Sequence, residues 1–272
     1  MTGQRRLRIG CEFVHEAEYA TPAVMQVEPD EGGPVDVVRQ GWDSDPELDR
    51  HGYVDGYGNR CQRLTLPEGR STLRYEAMVT VPDATEEVDL DAMETPVADL
   101  PDDALVFTLP SRYVVPDVLG DEAWDLFGGI KPGYRRVQAI CDHVNGSLRF
   151  AYGSSTPLST AADVRSAGVG VCRDFTHLGL TYCRALNIPA RYAFGYLPDM
   201  DVPPLPDPMD FAAWMEVFLD GRWMTFDPRN NRARKGRVVV GRGRDALDVA
   251  MVTTYGGPVL ERMTVWADEV TE

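Results

Sequence analysis

The chain has 272 residues, 43% of them hydrophobic and 26% charged, which is enough apolar material for one large core or two smaller ones. A formal charge of −16 argues against non-specific binding to nucleic acid or anionic membrane, because phosphate repels such a field. No run approaches the ~18 apolar residues of a membrane span, and no apolar segment follows the polar, basic Met1–Arg8, so a cytoplasmic protein is expected.

The first third reads as β. Leu7, Ile9, Cys11 and Phe13 alternate with Arg8, Gly10 and Glu12, and Leu73, Tyr75, Ala77, Val79 and Val81 alternate with Arg74, Glu76, Met78 and Thr80. Period two predicts half-buried antiparallel strands. Turn-rich segments at 31–34 and 55–59 punctuate them, which predicts a small β-sandwich over residues 1–85. From Glu76 to Ser111 there is no base and many acids. That stretch is expected to be a solvated acidic surface, with an acidic linker at 86–104.

After it the period changes. Tyr134, Val137, Cys141, Val144 and Leu148 recur at helical spacing, with Gly133 before them. A second helix opens at about Cys172, with Phe175, Leu178, Gly179, Tyr182 and Ala185 as its buried face; Asn187 and Pro189 stop it. Strands are predicted at 190–196, 213–219, 222–226, 237–240 and 260–267. A proline-rich loop spans 198–208, and Asp220-Gly221 makes a hairpin turn. Helices followed by mostly antiparallel strands predict an α+β domain over 105–272.

Five cysteines (Cys11, Cys61, Cys141, Cys172 and Cys183) at long spacings suggest neither a disulfide framework nor a zinc knuckle. The four histidines show no metal-binding spacing, so no metal or cofactor is expected. Cys172 stands out because it follows Gly168-Val169-Gly170-Val171 and opens a helix, whose dipole lowers a thiol pKa. A lone cysteine is more often a small buried hydrophobe, and for the other four that reading stands. Asp227 ends a strand in Trp223-Met224-Thr225-Phe226-Asp227-Pro228, where a turn-starting aspartate is equally ordinary. Trp214 and Glu216 share one face of their strand.

Taken together, these pieces resemble the transglutaminase-like superfamily, whose core is papain-like, in its bacterial branch with a β-rich N-terminal domain. The resemblance runs through Gly170–Leu178, Arg184–Tyr192, Gly195–Asp199, Met209–Trp214 and Phe226–Asn230, with further matches at Leu109–Tyr113 and Arg262–Trp266. It implies acyl transfer on amide or peptide bonds through a Cys172 thioester, by a cysteine peptidase or amidase or by an amide-forming enzyme. Asp227 would orient a catalytic histidine. The Cys172 N–H and a side chain such as Tyr152 would hold the oxyanion, with Trp214 as support. A peptide or amide substrate is the implied partner. Oligomeric state and substrate identity stay open, as does the acceptor, water or an amine.

One departure decides much. The histidine of the family directly precedes the Ala-Trp pair, and here that position is Ala212. Alanine neither takes the thiol proton nor protonates the leaving amine. His177 lies five residues after Cys172 on the same helix, about 140° from the thiol face, and reads as structural. Ala212 is a deliberate inactivating substitution, a natural loss leaving a binding protein, or a sign of altered cysteine chemistry. The intact Cys172, Trp214 and Asp227 favour the first. Without imidazole the thiol is expected to titrate near its ordinary ~8.5.

Overall fold

The computed structural model describes residues 3–204 and 207–270. Two residues of the predicted proline-rich loop, 205 and 206, and the first two of the basic N-terminus lie outside the described residues.

Six strands come first: β1 (Gln4–Ala17), β2 (Thr21–Met25), β3 (Asp36–Asp45), β4 (His51–Val54), β5 (Arg60–Leu66) and β6 (Gly69–Pro82). β1 and β6 pair antiparallel along their whole length, from Gln4 opposite Pro82 to Ala17 opposite Gly69. The alternation read from residues 73–81 is the burial pattern of β6, one residue in two facing the core. β1 is buried more continuously than the alternation predicts, with Ile9 to Cys11 and Phe13 to His15 buried in unbroken runs.

The helical part holds α1 (Asp102–Leu105), α2 (Gly120–Phe127), α3 (Tyr134–Ser147), β7 (Arg149–Phe150), α4 (Ala161–Ala167), β8 (Val169–Gly170) and α5 (Cys172–Ala185). Strands β9 (Ala190–Tyr196), β10 (Ala212–Leu219), β11 (Arg222–Phe226) and β12 (Val238–Gly243) follow, then β13 (Val252–Thr254) and β14 (Val259–Glu269). β11-β10-β9-β12 form one antiparallel sheet. The β10–β11 hairpin turns on Asp220 and Gly221, both at positive φ, the left-handed pair that an Asp-Gly turn supplies.

α5 is the centre of this half. Its sequence marks one apolar stripe, but every residue from Asp174 to Arg184 is buried. β9 and β10 cover one side, and α2, α3 and α4 cover the others. Of the polar residues that this encloses, Thr181 and Arg184 are satisfied internally, whereas His177 Nδ1 has no hydrogen-bond partner among the described residues. Thr181 donates to His177 O (2.8 Å), and Arg184 donates to the carbonyls of Leu109, Ala190 and Arg244.

Two expectations change. A boundary after residue 85 assigns 252–269 to the core, but β13 pairs with β2 and β14 with β1. The chain returns to cover edges that would otherwise be open to pairing with another chain. The acidic segment after β6 is also more than a solvated connector. It straps the core sheet through ion pairs. Asp83 meets Lys235 (2.6 Å), Glu86 meets Arg237, and Glu87 and Asp89 share Arg222. Glu94 takes Arg136 (3.2 Å) and the N–H of Gly133 (2.8 Å). Its acids were matched to arginines far along the chain, and that pairing leaves no local pattern. Among the described residues, no helix is long and apolar enough to cross a membrane.

Candidate active site

Cys172 is placed by the short parallel pair β7–β8, which lays 149–151 beside 168–170; Ala151 N donates to Gly170 O (3.1 Å). Gly170 is required here, because a Cβ on it would sit 2.8 Å from the Cβ of Asp174. That close approach brings Asp174 under the start of α5. Its carboxylate, fully buried, accepts from Val171 N (2.8 Å), Ser155 Oγ (2.5 Å) and Arg173 Nε (3.2 Å). The positive end of the helix dipole is therefore already met by a carboxylate of the same helix.

The thiol lies against the start of β10. Cys172 Sγ sits 3.8 Å from Phe211 O, the carbonyl of the peptide group that joins Phe211 to Ala212. Cys172 and Ala212 therefore share one site. Both line a cleft of about 560 Å³, whose walls include Phe150, Tyr152, Leu197, Met209 and Phe211. Burial pushes the thiol up to about 11, and nearby Asp210 pushes the same way; Arg229 and the N–H groups of Ala213 and Arg173 only partly offset them. This corrects the expected ~8.5 upward. Desolvation and a neighbouring carboxylate outweigh a dipole that Asp174 already answers.

Asp227 follows β11 and is 7% exposed. Its Oδ1 accepts from the backbone N–H of Arg229 (3.1 Å) and Asn230 (2.8 Å). Its Oδ2 accepts from Asn230 Nδ2 (2.7 Å) and Arg237 Nη2 (2.6 Å). Four bonds fill the lone pairs of a carboxylate. Burial alone would raise its pKa, but Arg237 and Asn230 outweigh that and hold it below the usual carboxylate range. Asp227, which the resemblance casts as the orienter of a catalytic histidine, is thus fully engaged by donors of this chain. Asp227 is not itself among the residues lining the cleft; Arg229 and Asn230 are.

Trp214, fully buried, carries the Arg237 guanidinium 4.8 Å over its ring. With Glu216 it lines a second, separate cavity. Glu216 binds Arg191 and Arg242, and Arg242 also reaches Asp30 near the N-terminal strands. Tyr152 stands in the thiol's cleft, half exposed, edge-on to Phe150 at 5.1 Å. His177 is buried between Tyr113 (5.0 Å) and Tyr192 (5.2 Å), and its Nε2 accepts from Ala246 N (3.2 Å). Burial holds its pKa well below the ordinary histidine value, as suits a neutral structural ring. Among the described residues, no cluster of three or more His, Cys, Asp or Glu could hold a metal ion.

Sequence reasoning passed over Asp210, Asn230 and Arg237. The first two sit inside motifs already singled out, Met209–Trp214 and Phe226–Asn230. Nothing local marks Arg237, whose importance lies in reaching both Asp227 and Glu86.

Comparison with known proteins supports this architecture. Residues 123–228 match the core model of the transglutaminase-like superfamily. The chain is 31% identical over 221 residues to the uncharacterized proteins Rv2569c of Mycobacterium tuberculosis and Mb2599c of Mycobacterium bovis, covering 74% of this chain and 70% of each relative. A crystal structure from Cytophaga hutchinsonii, described as a "putative cysteine protease", superposes with a TM-score of 0.88 at 28% identity, over 100% of this chain and 92% of that one. The chain belongs to the transglutaminase-like superfamily.

Proposed function

We propose that the Cys172 cleft is an acyl-transfer site for amide or peptide substrates, built for a Cys–His couple and held inactive by Ala212. The observation that carries this reading is the thiol set against the carbonyl that precedes Ala212, 3.8 Å from Phe211 O, with both residues on one cleft. With imidazole at 212, the Cys172 proton passes to the ring, and the thiolate attacks the substrate carbonyl carbon. The C–N bond breaks, the ring returns the proton to the leaving amine, and a thioester remains. Water or an amine then attacks that thioester, giving hydrolysis or a new amide. As the chain stands, the thiol stays protonated and the cleft binds without turning over. The description of the Cytophaga hutchinsonii protein as a cysteine protease favours hydrolysis.

The test is Ala212→His, assayed by release of amine from simple amide and peptide substrates. A gain of ~10²–10⁴-fold is expected, the share of a general base. No gain, in a folded protein whose Cys172 alkylates no faster at pH 6, overturns the reading.

A further inference from the structure

The charge inside the cleft is unevenly settled. Two arginines line it: Arg234 is ion-paired, while Arg229 is held by an amide and a ring with no ion pair among the described residues. Arg234 is bound to Asp199 (3.0 Å) and to Pro198 O (2.9 Å). Arg229 donates to Asn230 Oδ1 (3.0 Å) and lies 4.4 Å from the centre of the Phe150 ring. Glu269, also at the cleft, is bound by Arg5. Asp210 is different. It is half-buried on the thiol's cleft, and among the described residues it makes no ion pair; it accepts the N–H of Phe211 (2.7 Å). Asp207 and Asp268, nearer solvent on the same cleft, likewise carry no ion pair among the described residues.

A carboxylate partly removed from water without a counter-charge is costly, and the fully buried carboxylates of this region, Asp174 and Asp227, each have an arginine. The walls near Asp210 are apolar and aromatic. The face of Phe150 is taken by Arg229, whereas Tyr152 is 51% exposed. A carboxylate beside an open aromatic ring is the ordinary surrounding of an organic cation.

We infer that the cleft beside Cys172 takes a ligand carrying a permanent cation on an apolar stem, an alkyl guanidinium or ammonium seated against Asp210. This rests on the reading of the cleft as a substrate site and adds the class of side group it selects. The cation is a recognition element and not the attacking amine, which must be neutral to react. The net charge of −16 steers such ligands towards the protein from a distance.

The test compares butylguanidinium, butanol and butyrate by NMR titration of the protein as it stands. The cation should bind at least tenfold more tightly than the alcohol, and butyrate should bind least. Asp210→Asn should remove the cation's advantage and leave butanol unchanged. Blocking Cys172 with iodoacetamide at alkaline pH should abolish binding of all three; the other four cysteines are buried. Equal binding of cation and alcohol overturns the inference. So does a preference that survives both Asp210→Asn and blocking, because that is only the general attraction of an acidic surface. The two readings fail separately. Turnover of neutral amides by Ala212→His without cation preference sinks this inference alone. Cation preference without turnover in Ala212→His sinks the acyl-transfer reading alone.

Discussion

Two aspartates flank the candidate chemistry, Asp227 buried and Asp210 half-buried, and their surroundings could hardly differ more. Asp227 has four donors, two of them backbone, and an arginine that is itself held by Glu86 of the acidic strap. Asp210 has one backbone donor and, among the described residues, no cation. The pKa directions follow. Asp227 is held down, with the arginine overcoming its burial, while burial drives Asp210 up. A charge matched on every side belongs to the scaffold. A charge left unmatched beside a reactive atom is open to a ligand. The thiol sides with the second region, since the carboxylate that lacks a partner also helps to keep Cys172 protonated.

The largest effect should come from breaking the matched end. Asp227→Ala leaves Arg237 buried on Trp214 with Glu86 alone, and breaking a buried ion pair costs about 3–5 kcal/mol. Chemical denaturation of both Asp227→Ala and Arg237→Ala would measure it. A loss below about 1 kcal/mol in either would remove the distinction between the two aspartates. It follows that Asp227→Asn is the better partner for Ala212→His in kinetic tests, because it keeps the side-chain shape. In Ala212→His alone, a new imidazole must compete with Asn230 and Arg237 for a carboxylate that is already full.

The next effect is in the thiol. With its pKa pushed up to about 11, Cys172 is ~10⁻⁴ thiolate at pH 7, against a few per cent for an ordinary cysteine. Iodoacetamide should therefore alkylate it roughly a hundredfold more slowly than free cysteine at pH 7. The rate should still be climbing about tenfold per pH unit at pH 9. Asp210→Asn should move the whole profile to lower pH by removing the neighbouring charge. A profile that levels off near 8.5 would show that the carboxylate and the burial exert no hold on the sulfur.

Much of this was legible in the sequence, and what was not has a common cause. The helix opening at Cys172, the strand opening at Ala212 and the strand ending before Asp227 are local patterns of period and punctuation. Sequence spacing also separated His177 from the thiol. What escaped was pairing at a distance. β14 returning to β1, Glu86 reaching Arg237 and Arg184 bonding three distant carbonyls depend on the folded arrangement. The thiol's pKa was misjudged for the same reason. A helix N-terminus is visible in a sequence, but Asp174 turning back to cap it and Asp210 standing across the cleft are not.

The smallest effect has the sharpest signature, because the two aspartates should respond to charge removal with opposite signs. For Asp227 the folded pKa lies below the unfolded ~3.9, so its ionisation stabilises the fold above that pH, and the contribution is lost as pH falls through the folded value. Asp227→Asn should therefore be less stable than the parent at pH 7. The gap should persist to about pH 4 and close only below it. For Asp210 the folded pKa is raised, so the protonated group is the one that favours the fold, and that contribution is lost as pH rises through the folded value. Asp210→Asn should be more stable at pH 7, by no more than about 1 kcal/mol for a partly exposed group. Its advantage should fade on acidification before the Asp227→Asn deficit does, because its window lies above the unfolded value and the other lies below it. Thermal melts of the three proteins from pH 3 to 7 would show the two windows. If Asp210→Asn is destabilised at neutral pH, its carboxylate has a counter-charge after all, and the contrast between the two sites is lost.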